Sequence, residues 1–284
     1  MARIFTPNTE AVVPQVGTML YVDAPFDEAT DAIRSVGGKL ASSYEVARGR
    51  LHAGANHSLL TYGSWVKEGF VYAPKQNPLL VRESPLVDSR LARDATNAHR
   101  AGRDFYLDAN MAKGFADQAE EDASKAPQDR RVLSFKTAKD YSIPTNRFAD
   151  DEVTTFLFKD VAAEYGRFLA SNGIKKMPVW FADKNGVNEE TMPFLRQLWL
   201  HRVGDVLESG LYGDFRNLHF GNRVRGVRPS SGEAGALGSV AVDASTGESE
   251  LAYDAKQIAQ YTTILQGVRT GNLAASQLEN VLKF

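Results

Sequence analysis

Five histidines, His52, His57, His99, His201 and His219, are the side chains best suited to bind a transition metal or move a proton near neutral pH. None stands in an HExxH arrangement or another close ligand spacing, so each reads as a surface or packed residue. The chain has no cysteine, which excludes a thiolate nucleophile, a thiolate metal site and a disulfide. Neither a GxxxxGK(S/T) phosphate loop nor a GxSxG nucleophile elbow occurs. Two acidic runs, Glu120-Glu121-Asp122 and Asp150-Asp151-Glu152, bring carboxylates close enough to share a proton or a metal. Solvated surface charge accounts for both, and the second run also suits the start of a helix, where negative charge is favourable. No catalytic residue, metal ligand or cofactor is nominated, and the chain is expected not to be an enzyme.

Two further groups concentrate between 196 and 228. Arg196, Arg202, Arg216, Arg223, Arg225 and Arg228 would form either an anion-binding patch or the ion pairs of a rigid small sheet. The second reading is preferred, because the formal net charge is -2 and no nucleic-acid motif is present. Trp199, inside FLRQLWL, reads as core. Tyr212, Phe215 and Phe220 stand among Gly, Asp and Asn, where exposure is as reasonable as burial. Exposed aromatics beside His, Asp and Asn are what adaptable binding surfaces use.

The elements that must hold these residues follow from periodicity. Phe26, Ala29, Ile33 and Val36 share a helical face that Gly37-Gly38 ends. Ser42 with Glu45 is a capping box for a second helix. Tyr62, Trp65, Phe70, Val71 and Tyr72 read as strand. Residues 86–149 are more polar, with two helices and an exposed loop over EEDASKAPQDRR, and read as an insertion in a core domain. Asp151 to Ser171 has the spacing of one amphipathic helix ended by Gly173, with a strand over TTFLF and a helix starting at Asp160 as the alternative. Met177 to Phe181 reads as a buried strand. FLRQLWL, LYGDFRNLHF and RVRGVR then give an antiparallel sheet, with Arg223, Arg225 and Val227 on one face of the last strand and Val224 on the other. Residues 229–250 read as a Ser/Gly-rich linker and 251–284 as a helical hairpin.

With 284 residues, 43% of them hydrophobic and 24% charged, the chain is long and apolar enough to bury a core unaided. No stretch approaches the roughly 20 apolar residues that span a bilayer, so no membrane insertion is expected. The N-terminus has no long apolar run, so a secretory signal peptide is not expected, and the location, a virion surface or the cytoplasm, is left open.

Two stretches carry a resemblance to known proteins. GGKLASSYEVARGR resembles the GWRLPT-plus-helix segment of C-type lectin-fold domains of the formylglycine-generating-enzyme type, and RVRGVR is similar to their closing strand. Between them, PFLRQLWLHRVGDVLESGLYGDFRNLHFGNRVRGVR resembles the variable region of proteins that diversity-generating retroelements rewrite in archaea and archaeal viruses, as does IKKMPVWFAD just upstream. The fold implied is α+β, a C-type lectin fold over residues 1–228 with a small antiparallel sheet and flanking helices. The implied scaffold is Leu198, Trp199, Gly210, Gly213, Val224, Arg225, Gly226 and Val227. The implied variable, ligand-binding positions are His201, Val203, Asp205, Val206, Tyr212, Asp214, Phe215, Asn217, His219, Phe220 and Asn222. The cysteines and the GNVWEW-type motif of the formylglycine-generating enzymes are missing, as are the EPN, QPD and WND signatures of calcium-dependent lectins. The resemblance therefore implies a displayed, diversifiable surface for a protein or other macromolecule, without catalysis and without nucleic acid as partner; a homo-oligomer is compatible with it. A structural protein of a virus particle that keeps the fold only as scaffold is the alternative.

Overall fold

The computed structural model describes residues 5–53, 57–204, 209–215 and 217–229. Asp205, Val206 and Arg216 lie outside the described residues, as do the expected linker beyond Pro229 and the expected hairpin. The strands are β1 (Asn8–Val13), β2 (Gly17–Asp23), β3 (Lys39–Leu40), β4 (Ser64–Tyr72), β5 (Leu79–Val81), β6 (Phe105–Tyr106), β7 (Val132–Ser134), β8 (Tyr141–Pro144), β9 (Lys176–Trp180), β10 (Phe194–Leu200), β11 (Leu211–Tyr212) and β12 (Arg223–Arg228). The helices are α1 (Phe26–Ser35), α2 (Ser43–His52), α3 (Ser58–Thr61), α4 (Ser89–Arg100), α5 (Ala109–Asp122), α6 (Glu152–Phe158), α7 (Ala162–Ser171) and α8 (Lys184–Glu189). Among the described residues no helix is long and apolar enough to cross a membrane.

One mixed sheet runs β1-β2-β12-β4-β10-β11-β9-β8, with the short strands β3, β5, β6 and β7 attached at its sides. The last strand, β12, lies antiparallel to β2, from Arg223 opposite Asp23 to Arg228 opposite Thr18. The beginning and end of the described unit are thus hydrogen-bonded neighbours. Every residue of β4 except Lys67 is buried, because both faces of the sheet are covered. Val66, Phe70 and Tyr72 point into one apolar layer with Val46, Phe156 and Tyr165 of α2, α6 and α7. Trp65 and Val71 point into the other, with Phe26, Ala92 and Ala95 of α1 and α4. Residues 86–149 supply α4, α5 and the strands β6, β7 and β8, which pair with β10, β5 and β9.

Local signals explain most boundaries. Ser42 accepts from the Glu45 backbone N–H while Glu45 accepts from the Ser42 N–H, which closes the capping box before α2. Gly37, at φ +74, turns the chain after α1. Asp151 caps α6 by accepting from the N–H groups of Val153 and Thr154. The single helix expected over 151–171 is instead two, α6 and α7, broken where Lys159 adopts φ +52. The TTFLF segment is helical. In LYGDFRNLHF only Leu211 and Tyr212 form a strand, and the rest is a chain of turns. The acidic run at the end of α5 is also corrected: Asp122 is fully buried and accepts from the Arg131 and Val132 N–H groups at 2.6 and 3.0 Å and from Lys125 Nζ at 2.7 Å. It ties α5 to β7, and these bonds outweigh the cost of burial to hold its carboxyl near 2.

Of the arginines between 196 and 228, three are locked into the sheet. Arg196 pairs with Asp104, Arg223 with Asp23, and Arg225 with Glu10. Arg202 and Arg228 are exposed. Glu68 is another buried carboxylate. On β4 it accepts from the Ser43 N–H at 3.1 and 3.0 Å and from the Ser43 hydroxyl at 3.2 Å, at the first turn of α2. Burial dominates these bonds and pushes its carboxyl up to about 7. Because the folded value lies above the unfolded one, the stabilisation it brings is complete at acid pH and is lost as pH rises through about 7. Thermal unfolding followed from pH 5 to pH 8 should show a loss of about 2–3 kcal/mol that is absent in Glu68→Gln. An equal slope in the variant would assign the pH dependence elsewhere.

Candidate binding surface

The residues that the sequence singled out around 199–222 sit at one end of the sheet. The register sets three aromatic side chains side by side. Trp199 of β10 lies directly opposite Tyr212 of β11, and Tyr212 lies opposite Trp180 of β9. Directly paired residues share a face, so the three rings point the same way. Tyr212 stacks on Trp180 at 6.1 Å and on Phe215 at 4.8 Å between centroids. His201 lies 5.3 Å from Tyr212 and 6.3 Å from Trp199. All five side chains are half-buried. Together they form an aromatic platform that continues the layer containing Trp65, whose ring meets Trp199 edge-on at 5.0 Å.

The expectation that Trp199 is core is corrected here: its indole is half-buried, one face against Gly63 and Trp65. A Cβ on Gly63 would stand 2.5 Å from that indole, so the glycine is what lets the ring lie flat. Trp180 was read only as part of a buried strand. Its signal was the alternation of MPVWF, which turns Trp180 to the face opposite Val179, but which strand it would meet could not be read locally.

Buried groups that do not belong to the platform fix the backbone beneath it. The Gly213 N–H donates to the Trp180 carbonyl at 2.9 Å. The Tyr72 hydroxyl donates to the Gly213 carbonyl at 3.0 Å and accepts from the Ala182 N–H at 3.2 Å. Arg196 grips the Asp214 carbonyl with Nη1, and binds Asp104 with Nε at 2.8 Å and Nη2 at 3.1 Å. Gly213 has no room for a side chain, since a Cβ would stand 2.5 Å from the Phe70 ring and 2.7 Å from the Tyr72 hydroxyl. Further along, the fully buried Leu218 gives its carbonyl to the Phe26 N–H at 2.8 Å. Gly213, Asp214 and Leu218 are thereby tied to the scaffold.

The implied variable positions separate into groups. His201, Tyr212 and Phe215 belong to the platform. His219 and Phe220 pair with each other, 4.2 Å between ring centroids, and Phe220 is 53% exposed. Asn217 and Asn222 shape the turn between them, with the Phe220 N–H donating to the Asn217 carbonyl at 3.1 Å and the Asn222 N–H to the Phe220 carbonyl at 2.8 Å. Val203 packs partly against the core. Asp214 lines a cleft of about 590 Å³ with Asp140, Phe181, Asp183 and Phe194, and burial raises its carboxyl. None of the nine described positions is fully buried. By contrast, the implied scaffold residues Leu198, Gly210, Gly213, Val224, Arg225, Gly226 and Val227 all are. Among the described residues no three His, Asp or Glu side chains converge as metal ligands would.

No protein-family model matches the chain, and no curated protein does. A solved structure from Nanoarchaeota, a case of the C-type lectin fold accommodating massive sequence variation, is similar over 76% of this chain and 100% of its own, with 19% identity and a TM-score of 0.51. The α+β sheet with its flanking helices is accordingly a C-type lectin fold.

Proposed function

We propose that this chain is a variable binding protein. Its surface at the end of the sheet, centred on His201, Tyr212 and Phe215, would be presented to a protein or other macromolecular ligand without catalysis. The observation that carries the reading is the division of labour within residues 196–227. Half-exposed aromatic and polar side chains stand on a backbone held by Tyr72, Arg196, Gly213 and Leu218, none of which belongs to the exposed set. A few aromatic groups on a rigid base supply most of the energy of a typical macromolecular interface. Substitutions at half-exposed positions usually cost little stability, so such a surface can change its chemistry without losing its fold. The neighbour from Nanoarchaeota is itself a case of this fold accommodating sequence variation, which supports the reading.

The finer proposal is that a diversity-generating retroelement rewrites this segment, in an archaeal or viral genome, on a domain of the formylglycine-generating-enzyme-like subclass. Sequencing the encoding locus in several isolates tests it. A reverse-transcriptase gene nearby, and a near copy of the stretch encoding residues 200–222 that differs at adenines, is the expected result. A locus with neither, in which codons 201–222 vary no more than those of β4 and β12, would overturn diversification.

A further inference from the structure

A second ligand site is built under α5, on residues that the aromatic platform does not use. α5 is a helix of 14 residues, yet only Ala119 and Asp122 are buried. Its inward side chains, Met111 and Phe115 among them, are half-exposed, although they pack against the layer that holds Val81 and Val132. The reason is space on both flanks. A cavity of about 230 Å³ lies along Ala112 and Ala116, and one of about 690 Å³ along Met111, Gly114, Phe115 and Gln118. The second falls within the roughly 300–1,000 Å³ of small-molecule sites.

The larger cavity is apolar on one wall and cationic on the other. Lys67, Arg82 and Arg131 line it, against a single carboxylate, Glu83. Among the described residues Lys67 and Arg131 have no carboxylate within ion-pair distance. Arg82 spends its donors on the backbone carbonyls of Arg130, Pro127 and Gln128, and its charge is balanced by Glu68, Asp129 and Asp122 nearby, so it is not counted on to hold a ligand. Lys67 and Arg131 beside an apolar wall favour an anionic amphiphile.

We infer that the groove between α5 and the β5–β7 strands binds a small amphiphile carrying a carboxylate or a phosphate. Its apolar body would lie against Met111, Phe115, Val81 and Val132, and its anionic head would meet Lys67 and Arg131. The site is independent of the binding surface proposed above, and either can fail without the other.

The test uses the full chain with its methionine methyl groups labelled with ¹³C. Met111 reports on the groove, the fully buried Met19 and Met177 report on the fold, and the exposed Met192 reports on indiscriminate adsorption. Decanoate, decyl phosphate and decanol are titrated separately, below their aggregation limits. A saturable shift of Met111 alone is expected with one or both anions, and at least tenfold weaker binding with decanol. The stronger anion tells a carboxylate from a phosphate ligand. Lys67→Glu combined with Arg131→Glu should weaken anion binding at least tenfold while Met19 and Met177 stay in place. If those core signals move, the single variant Arg131→Gln, at an exposed side chain, takes its place with a threefold loss expected. No shift at Met111, an equal shift at Met192, or charge variants that bind as tightly as the native chain would overturn the inference.

Discussion

Replacing Arg225 by methionine is expected to cost about 3–5 kcal/mol, the range for removing one partner of a buried ion pair. Arg225 and Glu10 are both fully buried, and Nε and Nη2 of Arg225 reach the two carboxylate oxygens at 2.7 and 2.9 Å. Arg225 also donates to the carbonyls of Tyr62 and Ser58, at 3.0 Å each, so one guanidinium joins β12, β1 and the loop around α3. Burial alone would raise the Glu10 carboxyl, but the bonds from Arg225 and Ser58 outweigh it and hold it low. In the native chain Glu10 therefore adds stability above its unfolded range, and that stability is lost as pH falls. Without Arg225 burial is opposed only by Ser58 and the more distant Arg223, so the sign inverts and the variant should regain stability as pH falls and Glu10 takes up a proton. Denaturant unfolding at pH 7 and pH 4.5 separates the two behaviours. A loss under about 1 kcal/mol at pH 7 would mean that the pair is not the clamp described.

The second large effect is at Arg196. Arg196→Met leaves Asp104, 6% exposed, without its guanidinium, and should again cost about 3–5 kcal/mol. Unlike Arg225, it also releases the Asp214 carbonyl and so frees the backbone beneath Tyr212 and Phe215. Amide hydrogen exchange should therefore quicken at Gly213, whose N–H donates to the Trp180 carbonyl, in this variant and stay slow there in Arg225→Met, once compared at equal global stability. Asp104→Asn added to Arg196→Met should recover part of the stability, because the stranded charge is gone, without restoring slow exchange in the loop. Recovery of both would make Arg196 a structural ion pair with no hold on the surface.

Much of the scaffold was legible in the sequence because it rests on local rules. Ser42 and Glu45 mark the start of α2, Gly37-Gly38 the end of α1, and the alternation of RVRGVR places Val224 and Val227 in opposite apolar layers. The break between α6 and α7 was legible only in the alternative that starts a helix at Asp160, and that alternative made the first half a strand; both halves keep one apolar face, and only the backbone at Lys159 departs. The short extent of β11 follows from tertiary bonds: Tyr72 and Arg196 claim the carbonyls of Gly213 and Asp214 that a longer strand would have used. Tyr212 and Phe215 were identified from composition, whereas Trp180 joins them only through the parallel β9–β11 pairing, a contact between distant segments. Asp122 was misjudged for a similar reason, since the N–H groups it caps lie nine and ten residues on, across a turn.

The central claim is that His201, Tyr212, Phe215, His219 and Phe220 present changeable side chains on a fixed backbone. It is tested most directly by randomising single positions in a displayed library and sorting for folded protein, before any ligand is offered. Substitutions at His201, Tyr212, Phe215, His219 and Phe220 should nearly all stay folded, within about 1 kcal/mol of the native chain. Any side chain at Gly213, and any loss of Arg196 or Arg225, should deplete the folded pool. Depletion at Tyr212 and Phe215 as severe as at Gly213 would contradict the account, because those rings would then be part of the core and not of a surface free to vary.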